Sequence, residues 1–330
     1  MSVEMTRFVR RAFAAVLIVV LVVLLAYAFE LILYVFAGIL LALMLRTAGM
    51  WLRTTTGLSI RWSMTIILFL FVIAFFGTIW TFGLQIVHQA DELFDTISGA
   101  YSQFQVKLQQ YRIFRQFVST APTVNLGATA TAAATGLLWM AGSVVLILFL
   151  GVYLSTGPQE YLESFLNFFS AEHRTKAKKI LESLGGALRW WLFGQLIAMI
   201  VVGTVTTTGL LLLKSPMAVS LGVMAGLLTF VPYIGALVSA IPAILIALTQ
   251  SANLALYVML LYLIAHVVEG YIVVPLVQHR LVYLPPAVIL TSQLFMHAFA
   301  GAAGLMFATP VMVVAMVLIK RLYFKQDWTD

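Results

Sequence analysis

The chain has 330 residues, 62% of them hydrophobic and only 9% charged, with no cysteine. Long runs free of Asp, Glu, Lys and Arg place it among polytopic integral membrane proteins, and the missing thiols exclude disulfides, thiol nucleophiles and Cys-ligated metals. The net charge of +7 does not indicate a nucleic-acid partner, because the basic residues gather at the ends of apolar runs rather than along one polar face.

Arg7, Arg10 and Arg11 precede an apolar run at 12–29 that ends in Ala26, Tyr27 and Ala28, a pattern shared with signal peptides. The run exceeds an h-region of about 7–15 residues and further apolar runs follow, so it reads as a retained first span with a cytoplasmic basic end. A second apolar run at 31–45 leads into Arg46, Arg53 and Arg61. The turn between these runs, near Glu30, is poorly marked, and 12–45 is too long for one span of about 20 residues yet tight for two. Residues 63–84 make a third span and complete an N-terminal membrane unit, 1–84.

Past it, 85–118 carries acids first and bases later, with apolar residues at Ile86, Ala90, Leu93, Ile97, Tyr101, Phe104 and Leu108. Gaps of three and four residues give one apolar stripe on a long exocytoplasmic amphipathic helix, suited either to packing on another protomer or to lying among headgroups. Residues 119–135, rich in Thr, Ala, Pro and Gly, read as a loop that closes the unit 85–135. A fourth span is expected at 136–154. The polar section 155–189, with Arg174, Lys176, Lys178 and Lys179, reads as the largest cytoplasmic loop, and His173 within it as a solvated histidine without a role. The fifth span, 190–213, begins with Gly194 and Gln195 near its cytoplasmic end and is closed by Lys214, Ser215 and Pro216.

The apolar stretch 217–249 would make a straight helix of about 50 Å, against a hydrocarbon core of about 30 Å. It is interrupted by Pro232 and Gly235, with Pro242 further on. Divided at 232–235 it leaves two arms of about 22 Å, each short for a crossing, so a re-entrant hairpin with its tip at the break is expected. The pattern recurs at 287–319, interrupted by Gly301, Gly304 and Pro310, with the span 252–275 between the two broken segments. Span, proline, broken segment, repeated, is a weak internal repeat. If both segments are hairpins the two units are inverted, and His279 and Arg280 share the cytoplasm with Lys320, Arg321 and Lys325. The expected fold is an all-α polytopic membrane protein of about eight membrane segments, the sixth and eighth broken as re-entrant hairpins in an inverted repeat. Its transport core is 136–330, and the long exocytoplasmic helix stands apart from it.

Glu269 is the only acid in the C-terminal apolar runs, and His266 lies three residues earlier on the same helical face. The pair is either a proton carrier or a helix lock, with Glu269 bound to Arg280. Gln195, Gln293, Ser292, Thr291 and His297 offer hydrogen bonds to a small hydroxylated solute or simply pack helices. Gly222, Gly226, Gly301 and Gly304 allow close helix approach. No phosphate-cradling GxxxxGK[ST], HExxH or catalytic triad set occurs, so no enzyme activity, metal or cofactor is expected and any pumping would use an ion gradient.

Gly194-Gln195, Pro216, Val231-Pro232-Tyr233-Ile234-Gly235 followed by Ile241-Pro242, Glu269 with Pro275, Pro286, and the run GAAGLMFATP occur in a fairly specific order and spacing. On these residues the chain resembles the autoinducer-2 exporter family of bacterial and archaeal membrane proteins, the PerM-like permeases, most strongly from Gly194 onward. It departs from the family pattern at Ala236, where a second proline is common, and around Arg46, where a proline is absent. The resemblance implies efflux of small polar solutes through an inner membrane, driven by H⁺ or Na⁺, by a homo-oligomer that includes the pentamer among its forms. The breaks and the polar groups near them, read from the residues themselves, point to Gln195, Pro232, Tyr233, Gly235, Pro242, Gln293, Gly301, Gly304 and Pro310 as substrate or gating residues, with Glu269 and His266 coupling the ion. Two other readings stay open: a Na⁺/H⁺ antiporter, and a non-transporting oligomeric scaffold or channel.

Overall fold

Nothing interrupts the helix at Glu30. In the computed structural model, which describes residues 3–78, 142–273 and 284–324, α1 runs unbroken from Val3–Thr56. The turn expected there is absent because the sequence around it, rich in Leu, Val and Ala, has neither proline nor glycine, and a single carboxylate does not break a helix. At 54 residues α1 is about 80 Å long, and its segment Ala28–Thr56 is long and apolar enough to be a span. The third expected span is α2 (Ile60–Thr78). The amphipathic helix at 85–118, the loop at 119–135, Pro275, His279, Arg280 and Lys325 lie outside the described residues.

α3 (Gly142–Thr156) is the described part of the fourth expected span, and it meets α4 (Pro158–Leu166) at 86°. The polar section 155–189, expected as the connection between the fourth and fifth spans, is mostly helical: α4 is followed by α5 (Ala171–Leu212), which carries the basic cluster and the fifth span in one continuous element. Lys, Glu, Ala and Leu are all good helix formers, and charge alone says only that the surface is wet.

Beyond Leu213 the chain reverses through Lys214 and Met217, both at positive φ (53° and 57°), into α6 (Ala218–Leu228). α6 returns antiparallel along α5, with Gly226 against Met199 O and Gly203, and Gly222 against Thr207. A Cβ added at Gly203 would lie 3.3 Å from the Gly226 Cα, so the two backbones meet where neither residue has a side chain. After the break comes α7 (Ile234–Gln250). The two arms have 11 and 17 residues rather than near-equal lengths, because the chain leaves the helix at Thr229, before Pro232. A proline cannot donate to the residue four back and disfavours helix at the residue before it. α6 and α7 touch, and Leu221 and Ala225 share a buried cluster with Ala243, Ile246 and Ala247, so the segment folds back on itself.

α8 (Ala252–Val268) follows after a single residue, Ser251, whose Oγ accepts the Leu254 N–H at 3.1 Å as an N-cap. It ends in a π-turn, Glu269–Val273. α8 runs antiparallel to α5: Leu261 packs on Gly209 near the end of α5, and the π-turn that follows still touches α5. The last long element, α9 (Pro286–Ile319), has non-helical dihedrals at Ala300 and Gly301. There it doubles back. A Cβ on Gly304 would strike the Met296 carbonyl, and residues 287–296 and 308–312 line one crevice of about 480 Å³. A straight helix would hold Val288 and Met312 about 36 Å apart.

All elements among the described residues are helical, and four helices are long and apolar enough to cross a membrane, or five if the bent pair α3 and α4 is one span. Two cores hold them. One joins α5, α6, α7 and α8 around Leu210, Leu221, Ile246 and Val258; the other joins α1, α5 and α9 around Leu33, Trp191, Phe307 and Val317.

Candidate transport site

The first break is a short, fully built turn. Thr229 caps α6 by donating its N–H to Ala225 O at 3.0 Å, and Phe230 and Val231 donate to Leu227 O and Leu228 O at 3.1 and 3.0 Å. Pro232 supplies no donor. Tyr233 then adopts φ +65° and ψ −55°, and Ile234 N–H closes on Pro232 O at 2.8 Å. This is the uncommon, strained hand of the γ-turn, in a region a tyrosine rarely occupies. Gly235 is obligatory on different grounds, since any Cβ there would run into the Leu228 carbonyl.

Two amides singled out from the sequence converge on this turn. Gln195 of α5 donates Nε2 to Thr229 O at 2.6 Å, and Gln293 of α9 donates Nε2 to Pro232 O at 3.0 Å. The carbonyls freed by breaking the helix are thus satisfied by side chains from two other elements, as a break inside an apolar body requires. Because Pro232 O can only accept, the Gln293 amide is oriented with its NH₂ toward the turn. Its Oε1 is left buried without a partner, and Thr309 Oγ1 in the second arm of α9 is buried without one as well.

The first break packs against the arms of the second broken segment. Ala300 (φ −137°, ψ 25°) and Gly301 (φ 53°, ψ −134°) form the tip of that segment. Phe307, in the arm beyond, packs edge-on to Phe230 of the first tip at 6.3 Å between ring centroids, and Phe230 packs on Trp191 at 5.8 Å. Phe230, Tyr233, Ala300, Ala303 and Phe307 all join the core that α1 and α5 complete. From the first tip a line of polar groups leads into α8. The Tyr233 ring lies 6.1 Å from the His266 ring, and His266 Nδ1 lies 3.4 Å from the buried Glu269 carboxylate. Side-chain exposures of 39% for His266 and 8% for Glu269 give this pair one exposed and one enclosed partner.

The structure therefore gathers Gln195, Pro232, Tyr233, Gly235, Gln293, His266 and Glu269 around the first tip, with Gly301 and Gly304 at the bend of the second segment whose arms hold it. Two residues of the expected set stand apart. Pro242 lies inside α7, two turns past the tip, and Pro310 is fully buried inside the second arm of α9, where the helix continues through it. The second break is thus made by Gly301, with Pro310 lying within an arm. Arg280, the alternative partner for Glu269, is outside the described residues. Sequence reasoning did not select Thr229, Thr309, Phe230, Phe307 or Trp191. Phe230 was legible as the residue opening the broken stretch, whereas Phe307 and Trp191 look like any core aromatic. Among the described residues no group of three His, Asp or Glu side chains gathers to hold a metal ion.

Known proteins share this sequence pattern. The family profile described as AI-2E family transporter matches residues 13–324. Two Bacillus subtilis proteins are similar to the chain: "Putative transport protein YueF", 26% identical over 171 residues, and "Putative transport protein YrrI", 28% identical over 146 residues. A "Putative transport protein" of Thermotoga maritima is 21% identical over 172 residues. These matches take in 52%, 44% and 52% of this chain and 46%, 41% and 53% of the respective relatives, so the chain spans about half the length of the curated relatives it matches.

Proposed function

The chain belongs to the AI-2E transporter family, and from that premise we propose that it is a secondary transporter exporting a small polar, autoinducer-2-like solute across an inner membrane, coupled to a proton or sodium gradient. The observation that carries this reading is the meeting of the two broken segments: the non-helical first tip is held between the arms of the second segment by the Gln293 bond to Pro232 O and the Phe230–Phe307 contact. Non-helical backbone at membrane depth is tolerated where it is buried in protein or lines a watery cavity, and paired broken segments of this kind are where transporters place a solute or ion.

In this reading 136–330 is the transport core, α6 with α7 and the two arms of α9 are re-entrant hairpins of an inverted repeat, and both termini are cytoplasmic. The buried acceptor Gln293 Oε1 and the hydroxyl of Thr309 supply neutral hydrogen-bonding groups suited to a hydroxylated solute. Glu269 exchanges the coupling ion, with His266 at its exposed side relaying a proton. The assembled protein is a homo-oligomer.

Flux of autoinducer-2 into proteoliposomes under an imposed pH gradient tests this. The wild type accumulates solute when the gradient is applied, and Glu269→Gln retains binding but loses the gradient's effect. Unchanged gradient-driven flux in Glu269→Gln overturns the coupling role, and Na⁺ alone dissipating the pH gradient without solute identifies an antiporter instead.

A further inference from the structure

The elbow between α3 and α4 carries a surface that the transport site does not use. α4 leaves α3 at 86°, so with α3 crossing the bilayer α4 lies along its surface. Its residues divide into three sectors at helical spacing. Leu162 and Leu166 turn inward, Leu166 buried; Glu160, Glu163 and Ser164 are exposed on one side; Tyr161 and Phe165 are exposed on another, at 40% and 49%. The turn that follows presents Phe168 at 89% exposure, and Phe169 stacks edge-on against Phe165 at 5.5 Å. Apolar rings held this open are not the profile of a water-facing turn.

Next to the rings the chain becomes basic. Arg174, Lys176, Lys178 and Lys179 are all exposed in the first turns of α5, and no acid interrupts 174–179. Arg174 Nε donates to Phe169 O at 3.2 Å, which ties the basic cluster to the aromatic turn. Aromatic rings beside lysine and arginine, at a helix lying across the end of a span, match the chemistry of a bilayer interface whose phosphates carry negative charge.

We propose that α4 and the start of α5 form an interfacial anchor for anionic phospholipid. Phe165, Phe168 and Phe169 enter the boundary between headgroups and acyl chains, and Arg174, Lys176, Lys178 and Lys179 hold the lipid phosphates. Glu160 and Glu163, on the other sector, stay in water. The anchor requires that the chain be embedded in a membrane but not that it move a solute, so it stands or falls apart from the transport mechanism.

The chain has no cysteine, so Phe168→Cys places a single nitroxide on the full-length protein in vesicles of phosphatidylcholine with or without phosphatidylglycerol. The expected result is a label that collides more with oxygen than with a water-soluble nickel chelate, and that sits deeper when phosphatidylglycerol is present. Converting Arg174, Lys176, Lys178 and Lys179 together to glutamine removes the lipid dependence. The same four changes, without the label, lower the phosphatidylglycerol retained per protein in native mass spectrometry by about tenfold. A label as open to the nickel chelate as one placed at Glu163→Cys overturns the proposal. So does spin–spin broadening that disappears on dilution with unlabelled protein, which would mean that a second copy covers the rings. Undiminished phosphatidylglycerol retention in the four-fold variant overturns it without reference to the label.

Discussion

Replacing Gln195 by leucine removes the donor to Thr229 O while keeping most of the side-chain volume, and replacing Gln293 by leucine does the same at Pro232 O. The two changes are chemically alike, yet the structure makes them unequal. Thr229 O loses the side chain that satisfies it in a buried residue, so Gln195→Leu forfeits an interhelical bond of about 0.6–1.7 kcal/mol and strands an acceptor at about 1–3 kcal/mol. The two terms overlap, and the expected loss is about 1–3 kcal/mol. Pro232 O still accepts the Ile234 N–H at 2.8 Å. Gln293→Leu also removes an Oε1 that has no partner, so its net cost is expected to stay below about 1 kcal/mol. Unfolding titrations in mixed SDS micelles, run on both variants and the wild type, measure the difference. Equal losses, or a larger one at Gln293, would refute the account of how the break is held.

Gly235→Ala and Gly304→Ala each push a methyl group into a backbone carbonyl, Leu228 O and Met296 O respectively. Both are expected to cost about 1–3 kcal/mol or more in the same titration, whereas Gly270→Ala, which meets nothing within 4 Å, is expected to stay within about 0.5 kcal/mol. Lys214 is exposed and held at φ 53°, so Lys214→Gly relieves a left-handed conformation and is expected to stabilise by about 1 kcal/mol; a destabilised variant would show that the lysine side chain matters more than its backbone. Tyr233→Phe keeps the ring against His266 and is expected to leave stability within about 1 kcal/mol, while Tyr233→Ala loses that contact and lowers it further.

The breaks were legible in the sequence because proline and glycine act locally: Pro232 and Gly235 mark the first tip and Gly301 the second. Gln195 and Gln293 were legible as polar side chains in apolar surroundings, but their convergence on Thr229 O and Pro232 O depends on the fold-back of both segments and has no signature in either local stretch. Pro310 misled for the same reason that Pro232 informed. A proline inside a helix frees one carbonyl, and whether the chain breaks there depends on packing, which at Pro310 is complete. At Glu30 a lone carboxylate was taken for a turn, although neither charge nor polarity sets backbone conformation when the residues are good helix formers, and for the same reason the connecting section 155–189 is largely helical.

The central claim is that the first tip and the arms of the second segment that hold it form a site that must open for a solute to pass. The most direct measurement is flux after joining them: Phe230→Cys with Phe307→Cys, in a chain with no other cysteine, cross-linked by a short reducible reagent in proteoliposomes. The account predicts that autoinducer-2 flux under a pH gradient is lost on cross-linking and returns on reduction, with neither single variant responding. Full cross-linking with undiminished flux would contradict it.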